Sequence, residues 1–483
     1  GASGTLDVYY SAFRIPDMIF NLLILGALSA GFIPIFTSLI KKIADDNGSN
    51  PAVAENREAW ELANNVLNVL LLILAVLSVL GIIFAPALMR VIAPGFSPEA
   101  REQAVELTRI MFLSPVFLGI SSIFGGILQS FKNFFIYSLS PILYNIGIIL
   151  GVIFLYPLLG IRGLALGVVL GAFMHMIIQL PSVRALGFRF KIFIFNIKDQ
   201  NLIKIGRMMV PRTLSLAISQ IDLMVTTIIA STLAAGSLTV FNFANNLQSF
   251  PIGIFGISFA VAAFPVLSQF AFDSKKLVES FSSTMRQILF FIIPSTVILI
   301  TLRAQIVRVI LGTGSFSWDD TILTMQTLAL FSLSLFAQAS IPLLTRVFYA
   351  RHDSSTPFKV GMFTVVLNTV LSIYLSKKMG VTGLALAYSL SNILNFSLLW
   401  LSLYFKIGDL DQARILGSTI KFSLAGLACG FVIQAAKNIA TLPFVDMDRF
   451  YGVFIQSLLA VSLGLGAYFL VCWALKSEEA MDV

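Results

Sequence analysis

The feature that most restricts this chain is a series of apolar runs, each near the roughly 20 residues that a helix needs to cross a ~30 Å hydrocarbon layer. Thirteen occur, at 17–40, 66–88, 111–129, 135–158, 164–180, 208–233, 240–267, 281–302, 321–350, 360–375, 384–404, 415–436 and 453–475. In hydrocarbon each backbone N–H and C=O must find a partner within the protein, so runs of this length form helices. The predicted fold class is therefore an all-α polytopic membrane protein. Composition agrees: only 12% of residues are charged and 57% are hydrophobic, against roughly 25% charged in a soluble domain. The chain opens on Gly1 followed by an amphipathic lead-in. One further span is expected ahead of it, giving fourteen where thirteen are visible.

A net charge of +8 in a soluble protein would suggest nucleic acid, but here the basic residues are spread over short loops between spans, so no nucleic-acid partner is expected. When loops and the span ends beside them are assigned alternately to two sides, one side collects 20 of the 32 Lys and Arg. That side includes Lys41, Lys42, Lys132, Arg184, Arg189, Lys191, Lys275, Lys276, Arg351 and Lys406; the other has 11, and Arg212 falls within a span. The richer side is cytoplasmic by the positive-inside rule, which places the C-terminus, Lys476–Val483, inside. Cys429 and Cys472 lie within apolar runs and read as small buried hydrophobes, not as a disulfide framework.

The chain also repeats itself. Arg90-Val91-Ile92 with Phe96-Ser97 returns as Arg308-Val309-Ile310 with Phe316-Ser317, and Gly160-Ile161-Arg162-Gly163-Leu164-Ala165-Leu166 as Gly380-Val381-Thr382-Gly383-Leu384-Ala385-Leu386. The segment from Gly26 to Pro34 resembles that from Gly256 to Pro265. Each offset spans six apolar runs, an even number, so matched runs cross in the same direction and form two parallel six-helix repeats. Such a construction belongs to transporters. The expected organisation is an N-terminal lobe at 1–187, an amphipathic cytoplasmic linker at 188–204, a C-terminal lobe at 205–406 and two extra C-terminal helices at 407–483. The linker, rich in Phe and Ile among Arg189, Lys191 and Lys198, suits a membrane surface with anionic head groups.

No constellation for enzymatic chemistry is present. His175 lies inside a run and reads as a packed, hydrogen-bonded histidine; His352 lies in a loop, and neither has metal-ligand spacing around it. Gly312-Thr313-Gly314 lacks the following Gly-Lys-Ser of a nucleotide loop. Polar groups within the runs carry more information, because an ionisable side chain at the bilayer centre costs roughly 2.5–3.5 kcal/mol even on insertion scales. Arg212 and Asp222 share one run, ten residues and about 15 Å apart on a helix, too far to pair. Arg212 either contacts an anion in a cavity or snorkels to the surface. Asp222 must be protonated, paired or bound to a cation, with Asn368 as a second oxygen donor, or else it hydrogen-bonds between helices. Asn242, Asn245, Asn246 and Gln248 precede Pro251 and Gly253, and either line a wet cavity or bind helices together.

The run from Asp7 through Tyr9-Tyr10 and Arg14 to Pro16, followed by Gly26-Ala27 and Phe32-Ile33-Pro34, resembles the signature of the MurJ/MviN family. Further matches are Ala93-Pro94-Gly95-Phe96, Gln179-Leu180-Pro181, Ser219-Gln220-Ile221, Phe250-Pro251 with Gly253, and the stretch from Phe348 to Pro357; together they cover nearly the whole chain. The resemblance implies the MOP-superfamily (MATE-like) fold, fourteen spans and a V-shaped pair of lobes around a cationic cavity. It also implies the substrate, lipid II, an undecaprenyl-pyrophosphate-linked peptidoglycan precursor. That lipid would be moved between leaflets of the bacterial cytoplasmic membrane by alternating access, by a monomer in contact with membrane lipids. No cofactor is implied; Na+ or H+ and the membrane potential are the candidate driving forces.

The chain departs from the family where members carry basic residues after the signature Pro, having Phe20-Asn21, and Leu25 replaces an acidic residue. The family's Asp-Arg in a later span appears as Asn245-Asn246, with Ser249 for Glu. Opposite charges are lost together, which strands no buried ion. The substrate-contacting candidates are accordingly Asp7, Arg14, Arg212, Asn245 and Asn246, and the ion-coupling candidates Asp222 and Asn368. A polysaccharide-lipid flippase or a cation-coupled multidrug exporter of the same superfamily stays open as an alternative. An intramembrane enzyme would need an acidic cluster, for which Asp45-Asp46, beside Asn47-Gly48-Ser49, is the local candidate.

Overall fold

The computed structural model describes residues 1–25, 31–47, 56–439 and 450–481. Gly26-Ala27, Gly48-Ser49 and the side chains of Asp45-Asp46 lie outside the described residues. Every regular element described is helical, and the chain forms two compact units. Gly4–Thr232 forms the N-terminal unit, and Leu233–Val483 with Gly1–Ser3 the C-terminal unit. The division between the units falls at the end of the helix that begins at Gln200.

The N-terminal unit contains α1 (Gly4–Ile19), α2 (Ile33–Asn47), α3 (Arg57–Ile92), α4 (Pro98–Met111), α5 (Ser114–Ser130), α6 (Phe134–Leu150), α7 (Tyr156–Leu159), α8 (Ile161–Ile177), α9 (Leu180–Ala185) and α10 (Gln200–Ser231). The C-terminal unit contains α11 (Ser237–Pro251), α12 (Ser258–Gln269), α13 (Ser274–Thr301), α14 (Arg303–Leu311), α15 (Trp318–Ser332) and α16 (Leu335–Ala350). It continues through α17 (Ser355–Met379), α18 (Val381–Ile407), α19 (Gln412–Ile439), α20 (Phe450–Ala474) and α21 (Glu478–Met481). Among the described residues, ten helices or continuous helix pairs are long and apolar enough to cross a bilayer, and an eleventh is counted if α15 and α16, bent by 46°, make one span.

Helix α3 shows how lipid replaces water around this fold. Leu72, Ile73, Val76, Val79, Leu80, Ile83 and Phe84 are exposed, spaced to share one face, while Leu74, Ser78, Gly81, Ala85 and Met89 are buried on the other. Both faces are almost wholly apolar, so burial follows packing and not polarity. Ends of the helices are closed by polar side chains. Asp199 accepts from the amides of Asn201 and Leu202 to start α10, and Ser317 and Asp320 form a capping box on α15.

Three of the expected runs differ from the helices found. The first, placed at 17–40, is entered by α1 already from Gly4, so the amphipathic lead-in is part of that helix. The run at 208–233 falls on α10, which starts earlier, at Gln200, continues through Pro211 without a break and ends at Ser231. The run at 321–350 is divided because Ser334 donates its amide to Phe331, an i→i−3 bond that tightens the chain between α15 and α16.

The internal repeat is visible as geometry within each unit. Gly160 and Gly380 adopt nearly the same left-handed conformation, φ 57° and ψ −140° against φ 63° and ψ −138°, at the entry to α8 and α18. Three residues on, a Cβ on Gly163 would lie 2.4 Å from the Leu155 carbonyl, and one on Gly383 would lie 2.3 Å from that of Leu375. Helix α8 packs on α6 through a further glycine seam, where a Cβ on Gly147 would lie 2.3 Å from Gly171. Single π-helical turns, Phe20–Leu25 after α1 and Ile252–Ile257 after α11, also fall at repeat-related positions.

Two accessories complete the frame. In the N-terminal unit, Asn64, Asn65 and Asn68 of α3 hold the backbone of the segment after α9. Asn64 bonds the Arg189 carbonyl (3.1 Å) and the Lys191 amide (2.7 Å), and Asn65 the Asn196 carbonyl (2.9 Å) and amide (2.8 Å). Asn68 donates to the carbonyls of Lys191 and Ile194, each at 2.8 Å. Phe190, Ile192, Phe193, Phe195 and Ile197 are thereby left exposed. In the C-terminal unit, α19 and α20 pack together and against α13. Tyr468 donates to the Phe290 carbonyl (2.7 Å), and buried Arg286 pairs with Glu479 and with Glu478 (3.0 Å) of α21.

Candidate functional site

The N-terminal unit holds a cavity of about 330 Å³ lined by Phe13, Pro16, Asp17 and Phe20 of α1 and its π-turn, Ser114 and Leu118 of α5, Pro141, Tyr144 and Asn145 of α6, and His175 of α8. Its ionisable lining is Asp17 and His175, with the Tyr144 phenol beside them. Asp17 is half-buried and accepts from Asn21 one turn on, at 2.9 Å. Arg14, one turn earlier on the same face, acts on it electrostatically.

His175 is fixed from behind. Its Nδ1 lies 2.5 Å from Ser121 Oγ of α5, and that oxygen also contacts the His175 carbonyl (3.0 Å) and receives the Gln179 amide (2.7 Å). Ser121 and Gln179 are fully buried. The edge of the His175 ring meets Tyr144, with centroids 6.5 Å apart at 84°.

The corresponding interior of the C-terminal unit is a chain of neutral groups. Gln248 of α11 donates to Asn245 (3.0 Å), and Gln338 of α16 donates to Gln248 (3.0 Å) and to Ser334 (2.8 Å). Ser334 reaches Ser389 of α18 (3.0 Å), which donates to the Leu330 carbonyl (2.7 Å). Gln248, Gln338, Ser334 and Ser389 are all buried.

The residues singled out in the sequence distribute over both units. Asp7, in the first turn of α1, is 4% exposed, where a carboxylate complements the helix dipole. Arg14 is half-buried two turns further along. Arg212 lies on α10, though its side chain is outside the described residues, and Asp222 is half-buried on the same helix. Asn245 joins the amide chain of the C-terminal unit, Asn246 beside it is exposed, and Asn368 is buried on α17, where it accepts from Ser372 at 3.4 Å. The grouping of Asp17 with His175 and of Gln338 with Ser334 and Ser389 was not read from the sequence. Its one local signal is the spacing of His175 and Gln179, four residues and one helical turn apart.

A family model described as lipid II flippase MurJ matches residues 1–455. The chain belongs to the MurJ family. A probable lipid II flippase MurJ of Buchnera aphidicola subsp. Baizongia pistaciae is 29% identical over 446 residues, covering 91% of this chain and 84% of that one. Among solved structures, lipid II flippase MurJ in an inward closed conformation aligns with a TM-score of 0.75 at 24% identity, over 98% of this chain and 94% of the other. An inward-facing multidrug resistance MATE transporter of the MOP superfamily aligns at 0.69 with 19% identity, over 85% and 91%. The fold is thus that of the MurJ and MATE transporters. The polar interiors described above are the MurJ-family scaffold as this chain fills it.

Proposed function

We propose that this chain is a lipid II flippase that carries the undecaprenyl-pyrophosphate-linked precursor from the inner to the outer leaflet of a bacterial cytoplasmic membrane. The observation that carries this reading is the match to the lipid II flippase family through both units and into α20. The repeated glycine entries and π-turns support it, since they make the two units variants of one transport element. Arg14 and Arg212 supply cationic contacts to the pyrophosphate, Asp7 supports α1 from its first turn, and Asn245 and Asn246 contact the neutral head group. Asp222 and Asn368 serve the coupling ion, Na+ or H+. The protein works as a monomer with its C-terminus in the cytoplasm, and the clamped segment 189–197 rests on the cytoplasmic membrane surface.

Complementation tests the reading. The chain, produced in a bacterium depleted of its own lipid II flippase, is expected to restore growth and the exposure of lipid II at the outer leaflet. Normal membrane expression with no rescue would refute it and favour export of another lipid-linked sugar or of a small molecule. Arg212→Ala is expected to slow flipping at least tenfold; an undiminished rate would remove Arg212 from the substrate path.

A further inference from the structure

The Ser121 hydroxyl has one proton to give, either to Nδ1 of His175 at 2.5 Å or to the His175 carbonyl at 3.0 Å. Gln179 Nε2 reaches the same oxygen (2.7 Å) and the same carbonyl (3.2 Å). With the serine proton on the carbonyl, the short contact is a bond donated by Nδ1–H, and Nε2 is the proton acceptor of a ring that lines the cavity.

That cavity also holds the Asp17 carboxylate, a second proton acceptor, and three of its walls, α5, α6 and α8, belong to helices long and apolar enough to cross a bilayer. We propose that it is a proton-binding site, with Asp17 and His175 as its two accepting groups. The charged and titratable groups of the packed elements are Arg14, Tyr9, Tyr10 and Asp7 on α1, Tyr144 on α6 and Asp222 on α10, which packs against α1. Arg162 at the far end of α8 is taken up by Glu106 of α4 at 2.7 Å, and α5 contributes Ser121. Proton binding here adds a positive charge at Nε2 or removes the negative one at Asp17, and either change alters how α1 and α8 face each other across the cavity. Its use to drive transport rests on the flippase reading; proton binding itself does not.

The chain has two histidines, His175 and His352, so ring NMR is uncrowded. Protein carrying 15N,13C-histidine and 13C-aspartate in nanodiscs is the test, with His352→Gln to assign the signals. At pH 8 the His175 ring is expected to show a protonated Nδ1 and a bare Nε2. Between pH 8 and 5 its ring signals or the Asp17 carboxyl signal should move. Unbuffered pH-jump measurements should show one proton fewer taken up by the Asp17→Asn, His175→Gln double variant than by wild type. An Nε2–H tautomer at pH 8, or no movement of either resonance over this range, would overturn the proposal without recourse to a variant. Equal uptake by wild type and the double variant would do the same. A protein that takes up the proton but fails to present lipid II loses the flippase reading alone; one that flips lipid II and takes up no proton here loses only this site.

Discussion

The two units were built from the same repeat and filled differently. In the N-terminal unit a half-buried imidazole and carboxylate line a cavity, the imidazole backed by the buried Ser121 and Gln179. In the C-terminal unit the helices are joined by two glutamines, two serines and an asparagine, none of which titrates in the biological range. Its buried ion pair is instead Arg286 of α13 with Glu479 of α21, beside the more exposed Glu478. The difference separates tasks: a neutral amide chain holds one geometry at every pH, whereas a histidine and an acid on a cavity let protons act on the other unit.

Breaking the ions should have the largest effect. Arg286→Ala leaves Glu479, whose side chain is 5% exposed, without its partner. A buried charge stranded in this way costs about 3–5 kcal/mol, so thermal unfolding in detergent should shift strongly and α20 should become open to proteolysis. Stability matching wild type would mean that the appended helices are held by their apolar contacts alone.

Gly163→Leu and Gly383→Leu come next, and test the likeness of the units. Each places a Cβ about as close as the other to a backbone carbonyl, so each should cost about 1–3 kcal/mol or more, and by similar amounts. A large difference between them in thermal stability would mean that the repeat is preserved in sequence and not in packing.

Ser121→Ala and Ser334→Ala sharpen the contrast. Each removes a buried hydroxyl with several partners and should cost about 1–3 kcal/mol. Only Ser121→Ala should also disturb the ring nitrogen signals of His175. If Ser334→Ala disturbed them equally, the two polar interiors would be coupled.

The smallest effect belongs to a charge outside the membrane. Partial burial alone would raise the Asp353 carboxyl, but bonds from Lys406 and from the Thr356 hydroxyl and amide hold it down to about 2. Its contribution is complete above the unfolded value of about 3.9 and is lost as pH falls through about 2, so it is constant near neutrality. Asp353→Asn should cost under about 1 kcal/mol at pH 7, measured by thermal unfolding, and the cost should shrink below pH 4.

Fold class and repeat were legible because both rest on local patterns: length and apolarity set the helices, and the Gly160 and Gly380 heptads mark the same turn twice. The beginning of α1 was not legible, since Asp7 and Arg14 lower the apolarity of a stretch that is nonetheless helical and partly buried. The division of 321–350 was hidden because Leu333-Ser334 contains neither Gly nor Pro. The cavity was missed for a different reason. Asp17, Tyr144 and His175 are separated by 127 and 31 residues, and nothing within any one helix announces that the three meet.

The asparagine clamp has a practical meaning. All six of its bonds to segment 189–196 end on main-chain atoms, so the path of that segment does not depend on which side chains it carries. Phe193, 96% exposed, is accordingly a place where a fluorophore or photo-crosslinker can be installed without rebuilding the unit, giving a fixed vantage point from which movement of the surrounding helices can be watched.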